Sequence, residues 1–268
     1  MTRPIAVAAT AAFGADVLER LARRHEVASV LTRPDAPAGR GRRPAASPAK
    51  LAAQRLGVPV LAPERLEPGL DLGADVVVAV AYGLIVPEDV LGERLWLNVH
   101  PSLLPRWRGA APVERALIAG DTDTGVSIIK LVKELDAGPI AAQEPFALSG
   151  DDDAGAVYER AAEVAARLLA DVLTRPAPTF HDQVGEVTYA AKITAEDRRL
   201  DLEHTAKELV DRVRALSPHI GARAELHGRG VTIWKARVAA DGSFEPVEVQ
   251  PDGGRRMTYD AWLRGLRP

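Results

Sequence analysis

The chain of 268 residues contains no cysteine, two methionines and only 4% aromatic residues. Without cysteine there is no disulfide, no thiolate metal ligand and no thiol nucleophile. No apolar run approaches the ~18 residues of a membrane helix. The opening "MTRPIAVAAT" lacks the apolar core of a signal peptide, so a cytoplasmic protein with no membrane partner is expected. Charge of one sign is also missing: 34 Lys and Arg face 37 Asp and Glu, a net charge of −3. That excludes wholesale binding of nucleic acid by charge alone and leaves room for a local basic patch. The six histidines are scattered, with no H-E-x-x-H, and neither G-x-G-x-x-G nor a Walker loop follows the first strand. No metal site is expected. What is present, 47% hydrophobic and 26% charged residues, suits a globular chain with a full core.

The first half alternates strand and helix signals. "IAVAAT" (Ile5–Thr10), "VASVLT" (Val27–Thr32), "ADVVVAVAY" (Ala74–Tyr82) and "LWLNVH" (Leu95–His100) are short β-branched or apolar runs. Such runs are typical of strands buried on both faces. Between them lie helical patterns at Gly14–Arg24 and Ser47–Gly57, the latter with a Ser cap, Pro at its first position and Gly at its end. A helix at Ala111–Gly120, paired edge strands at Gly125–Val132 and Pro139–Phe146 and a long helix at Asp153–Leu173 follow. This alternation predicts an α/β fold with an open, mostly parallel twisted sheet. After "TRPAPTF" the texture changes to an amphipathic helix at Thr205–Leu216, a hairpin turning at "HGRG", and short strands and turns. The reading divides the chain into a catalytic domain (1–176), a linker (177–193) and a small β-rich C-terminal domain (194–268).

In an open α/β sheet, ligands bind beyond the carboxyl ends of the strands. Asn98 and His100 stand at such an end, two apart, on one face. A neutral imidazole can take a proton near neutral pH and an Asn amide can donate to a developing oxyanion. A carboxylate would complete the set, and Asp136 in the turn "KELDAGP" is the best placed. The structural alternative is a polar strand end that merely satisfies backbone groups, the commoner case. The loop "SLLPRWRGAAP" (Ser102–Pro112) has the same two readings. Leu103 and Leu104 could line a slot for a flat ring and Arg106 and Arg108 could meet anions, or the loop could be stiffened by proline and anchored by Trp107. Arg33, Arg40, Arg42 and Arg43 make a basic loop that contacts phosphates or is simply solvated.

"LNVHPSLLPRWRGAAPVERALIAGDTDTGVSI" followed by "LDAGPI" resembles the central block of the 10-formyltetrahydrofolate-dependent formyltransferases. "PRWRGAAP" and "RPDAPAGRGRRPAASPAK" are similar to the branch that acts on methionyl-initiator-tRNA; "VVAVAYGLIVP", "VTYAAKIT" and "VTIWKA" extend the resemblance over nearly the whole chain. The resemblance implies a Rossmann-like formyltransferase fold followed by a small OB-like domain. It implies Asn98, His100 and Asp136 as catalytic residues. Tyr82, Gly83, Leu84 and Ile85, with Ser102, Leu103, Leu104 and Pro105, would bind 10-formyltetrahydrofolate. Arg40, Arg42, Arg43, Arg106 and Arg108 would meet the tRNA. A monomer in a bacterial cytoplasm is expected. The alternative acceptor is a small amine such as an amino-sugar nucleotide. Two departures stand out. Ala9-Thr10-Ala11 replaces the family's Gly-Thr-Pro, and the C-terminal domain is shorter than the family's.

Overall fold

The computed structural model describes residues 3–38 and 43–266. The chain runs β1 (Ile5–Ala9), α1 (Ala12–Leu21), β2 (Val27–Leu31), β3 (Ala36–Ala38), β4 (Arg43–Ala45), α2 (Pro48–Leu56), β5 (Val60–Leu61), β6 (Val76–Val80), α3 (Glu88–Glu93), β7 (Leu95–His100), β8 (Arg108–Gly109) and α4 (Pro112–Ile118). It continues through β9 (Asp123–Lys130), β10 (Ile140–Ala147), α5 (Ala154–Thr174), β11 (Tyr189–Ala190), α6 (Ala206–Ala215), β12 (Ala222–Leu226), β13 (Arg229–Val238), β14 (Phe244–Pro251), β15 (Met257–Thr258) and α7 (Tyr259–Arg264). Two compact units result. Met1–Arg108, Gly125–Pro145 and Glu159–Thr188 form the first; Gly109–Thr124, Phe146–Tyr158 and Tyr189–Pro268 form the second.

The first unit holds a seven-stranded sheet in the order β10-β9-β7-β6-β1-β2-β5. From β5 through β2, β1 and β6 to β7 the strands pair in parallel, and β9 joins antiparallel to β7. The predicted mostly parallel sheet is what forms. β1 is buried throughout and β6 nearly so, which explains their unbroken β-branched and alanine runs. The register sets Ala79 beside Asn98, and His100 beside Ser127. α2 carries the cap its sequence announces: Ser47 Oγ accepts from the Lys50 amide at 3.0 Å, Pro48 opens the helix and Gly57 closes it at φ 69°. The proline- and arginine-rich stretch contains the antiparallel ribbon β3–β4, with Pro37 opposite Pro44. Arg40 and Arg42 lie outside the described residues, as does the side chain of Arg43.

The departure at Ala9 has a local explanation. Ala9 is fully buried at the end of β1, and a Cβ added to Gly14 would stand 2.7 Å from its methyl and 2.6 Å from the Val80 carbonyl oxygen. The extra methyl therefore occupies the contact between the strand and α1, and a side-chain-free residue on the helix makes room for it.

In the second unit, β12 to β15 form a four-stranded antiparallel sheet. Leu209 and Val213 of α6 and Trp262 of α7 pack with Val231, Ile233 and Val249 of the strands in one core. The β12–β13 hairpin turns at His227 and Gly228, with φ of 53° and 71°, the two left-handed residues a tight hairpin needs. Thr205 and Glu208 make a reciprocal capping box on α6. α7 is an addition to the expected strands and turns, although its signals are visible: Thr258 caps it, Asp260 sits in its first turn and Arg264 in its last. Near the start of α4, the buried Glu114 carboxylate accepts from the Tyr158 hydroxyl at 3.0 Å. Burial raises the Glu114 carboxyl above its ordinary value, against the opposing pull of its hydrogen bonds and of the charges on Arg115 and His219.

Two outcomes are expected. Gly14→Ala overpacks the strand–helix contact and lowers stability by about 1–3 kcal/mol; an unchanged denaturation midpoint would contradict this packing. A carboxyl with a raised folded pKa favours the folded state below its unfolded value, and that advantage is lost as pH climbs through the folded value. Glu114→Gln is therefore expected to flatten the fall in stability between the ordinary carboxylate range and neutrality. Urea midpoints measured across that range give the slope, and a variant as steep as the parent sinks the assignment.

Candidate active site

The site is built at the carboxyl end of β7. His100 is 4% exposed and its Nε2 lies 2.7 Å from the carbonyl oxygen of Trp107. A carbonyl oxygen can only accept, so Nε2 carries the hydrogen. In the neutral ring that leaves Nδ1 bare, and Nδ1 faces Asp136 Oδ2 at 3.7 Å. Nδ1 is thus the ring nitrogen left open to accept a proton. The other carboxylate oxygen, Oδ1, accepts from Asn98 Nδ2 at 3.2 Å. Asn98 keeps a second amide hydrogen beyond that bond. The three residues expected to act together are therefore adjacent.

Two of these backbone positions are strained. Asp136 sits at φ 48° and Trp107 at φ 65°, the left-handed region that non-glycine residues seldom enter and that clusters at functional sites. The Asp136 turn is tight as well: a Cβ on Gly138 would collide with the Lys130 carbonyl, which explains the glycine of "LDAGP". Gln183 spans this turn, its Nε2 donating to the carbonyl oxygens of Asp136 at 2.7 Å and Gly138 at 2.8 Å. Its Oε1 accepts from Arg108 Nε at 3.0 Å and Nη2 at 2.6 Å. Trp107 donates its amide to Thr188 Oγ1 at 2.9 Å, and the Arg106 guanidinium lies 4.4 Å from its ring centroid.

The loop after His100 turns largely inward. Ser102 is fully buried and donates to the Arg106 carbonyl at 2.7 Å. Ser127 Oγ donates to the Ser102 carbonyl at 2.6 Å and accepts from the Leu104 amide at 3.1 Å and Gln143 Nε2 at 2.8 Å, so its one donor and two acceptor positions are all used. Leu104 and Pro105 are buried, and Leu103 is half-buried. In the loop after β6, the Tyr82 ring joins the core of Ala6, Leu31, Val77 and Trp96, and burial pushes its phenol up to about 12. The Tyr82 carbonyl accepts from Thr10 Oγ1 at 2.7 Å. Gly83 is exposed, Leu84 half-buried and Ile85 92% exposed. Among the described residues no group of His, Asp and Glu is arranged to hold a metal, and no helix is long and apolar enough to cross a membrane.

Gln183, Ser127, Gln143 and Thr188 are absent from the sequence reading. Gln183 lies in the stretch read as linker, "HDQVGEVTY", and only its fold neighbours reveal it.

An amide, an imidazole and a carboxylate at the end of a mostly parallel sheet define a site fit for acyl transfer by electrostatic and proton-transfer assistance. The formyl transferase family model matches residues 4–173, and the model for the formyl transferase C-terminal domain matches 192–246. The chain belongs to the formyl transferase family. It is 39% identical over 281 residues to the methionyl-tRNA formyltransferase of Paracoccus denitrificans, covering 95% of this chain and 94% of that one. Among solved structures it superposes on the methionyl-tRNA formyltransferase of Clostridium thermocellum with a TM-score of 0.64 at 14% identity, covering 94% and 99% of the two chains. It superposes on HypX from Aquifex aeolicus, solved with tetrahydrofolic acid, with a TM-score of 0.68 at 18% identity, covering 98% of this chain and 47% of that one.

Ser127→Ala would leave the buried Leu104 amide and Ser102 carbonyl without this partner, and is expected to cost about 1–3 kcal/mol. Equilibrium unfolding checks it, and a loss indistinguishable from zero would show that the loop does not lean on this hydroxyl.

Proposed function

We propose that this chain transfers the formyl group of 10-formyltetrahydrofolate to the α-amino group of methionyl-initiator-tRNA, with Asn98, His100 and Asp136 as its catalytic residues. The observation that carries the reading is the contact of Asp136 with both Asn98 and His100, in a chain aligned almost end to end with a methionyl-tRNA formyltransferase. An α-amine has a pKa near ~8, so a useful fraction is neutral and nucleophilic at neutral pH. Its attack on the formyl carbon creates a tetrahedral oxyanion. The second amide hydrogen of Asn98 stabilises that oxygen, while the first stays on Asp136. The amine's proton passes to His100 Nδ1, where the Asp136 carboxylate stabilises the imidazolium, and is then available to the leaving nitrogen of the folate.

The loop Gly83–Ile85 and the half-buried Leu103 are the surfaces we assign to the pterin; Tyr82, Ser102, Leu104 and Pro105 support them from within. HypX, with its bound tetrahydrofolic acid, supports folate as the donor. Arg40, Arg42 and Arg43, on their sequence alone, and the exposed Arg106 are the contacts we assign to the tRNA; Arg108, expected with them, binds Gln183 instead and is left out of that set. The catalytic function belongs to residues 1–176, linked through 177–193 to a C-terminal region 194–268 that assists acceptor binding; the two family matches, 4–173 and 192–246, support that division. We assign the chain to a bacterial cytoplasm, its relatives coming from bacteria, and, from the sequence alone, we take the working form to be a monomer. A small-amine acceptor such as an amino-sugar nucleotide is the alternative, and the full-length match to the tRNA-directed relative favours the first reading.

The test is formyl transfer to methionyl-initiator-tRNA and, in parallel, to an amino-sugar nucleotide. Transfer to the tRNA is expected, with loss in His100→Ala and a fall of about 10²–10³ in kcat for Asn98→Ala. Transfer to the sugar alone would move the acceptor assignment. Arg40→Ala is expected to raise KM for the tRNA and leave that for the folate unchanged; an unaltered tRNA KM would remove this arginine from the interface.

A further inference from the structure

We propose that Gln183 and Arg108 are positioning residues that jointly set the orientation of the His100–Asp136 pair. This rests on reading that pair as catalytic. His100 is fixed at both ring nitrogens, each time by a different segment: Nε2 bonds to the Trp107 carbonyl and Nδ1 faces Asp136. The angle between imidazole and carboxylate therefore depends on how those two segments are held relative to each other. A single side-chain amide spans them. Both amide hydrogens of Gln183 go to carbonyl oxygens of the Asp136 turn, at 2.7 and 2.8 Å. Its oxygen takes two hydrogens from Arg108, the residue after Trp107, at 3.0 and 2.6 Å. All four hydrogen-bonding positions of the amide are used.

The contacts close a circuit from His100 through Trp107, Arg108, Gln183 and Asp136 back to His100. The chemistry of the circuit is directional. A guanidinium on Oε1 polarises the amide and strengthens its N–H donors, so the charge on Arg108 is felt at the Asp136 turn. The circuit also holds Trp107 and Asp136 at their left-handed φ values of 65° and 48°. A side chain shifted by about 1 Å in such a site can cost about 10²-fold in rate. An Arg bound inward through both Nε and Nη2 serves this geometry, and its role is orientation of the site.

The experiment compares kcat and KM in formyl transfer for the full-length protein and for Gln183→Glu, Gln183→Ala, Arg108→Ala, Arg108→Lys and His100→Ala, with thermal melts of each. Gln183→Glu keeps the Arg108 partner and replaces the two donors with a carboxylate facing two carbonyls. Gln183→Glu and Arg108→Ala are expected to lower kcat about 10²-fold, with KM for folate and tRNA near the parent value and an altered pH profile of kcat. Arg108→Lys, which retains a cationic donor to Oε1, should recover part of the loss. Combining Gln183→Ala with Arg108→Ala should cost no more than either alone, because both break one circuit. A parent-like kcat in Gln183→Glu, or a raised tRNA KM with unchanged kcat in Arg108→Ala, would overturn the proposal. If His100→Ala keeps parent activity, the catalytic reading fails and the positioning role with it. If His100→Ala is inactive while the Gln183 variants are not, only the positioning role fails. Should Gln183→Ala prove unfoldable, Gln183→Glu and Arg108→Lys still decide the matter.

Discussion

The hydrogen bond from His100 Nε2 to the Trp107 carbonyl oxygen, 2.7 Å long, is the constraint on which the rest of the site depends. It makes Nε2 the nitrogen that carries the hydrogen and turns Nδ1 toward Asp136. It also requires the carbonyl to be where it is, and so explains the cost accepted around it. Trp107 occupies a left-handed conformation, its amide is held by Thr188, and Arg106 lies on its ring. Beneath this loop the buried Ser127 hydroxyl saturates three partners, where a missing bond would be expensive. The tryptophan after His100 presents its carbonyl to the imidazole, with one neighbouring arginine on its ring and the other bound to Gln183.

Much of this architecture was legible beforehand. Buried β-branched runs marked β1, β2, β6 and β7, and the Ser-Pro-to-Gly punctuation marked α2 nearly to its ends. Asn98 and His100 could be paired because strand periodicity relates residues two apart. Asp136 lies 38 positions after Asn98, so strand spacing could not join it to them; its turn offered it only as the best placed carboxylate, and the family resemblance supplied the rest. Gln183 was beyond reach for the same reason, and its polar surroundings read as linker. The inward turn of Ser102 and Leu104 was likewise hidden, because a loop has no periodicity to tell its inner from its outer side. Ala9 shows the converse. The sequence flagged a departure from the family, and only the packing against Gly14 showed where its methyl goes.

The second unit was read less completely, for a different reason. Its elements are short, and α7 has only one buried residue, Trp262, so no hydrophobic period develops. Its capping signals carry the information instead, as they do for α6 with its Thr205–Glu208 box. The unit also contains a buried carboxyl that accepts from a tyrosine hydroxyl, which couples its packing to proton concentration.

The wide spacing of the site's parts has a consequence for the order of events in the life of the chain. The bonds that orient the pair join residues 38, 47 and 75 positions apart. Closing the longer loops costs little more at equilibrium, about 0.6 kcal/mol for each doubling of length. The cost falls on time: contacts between distant segments form late. During synthesis, which proceeds from the N-terminus, strands β1 to β10 are complete before residue 183 is added. A nascent chain at that stage has its imidazole and its carboxylate, and not yet the amide that sets the angle between them. Catalytic competence is thus among the last properties the first unit acquires, well after its sheet.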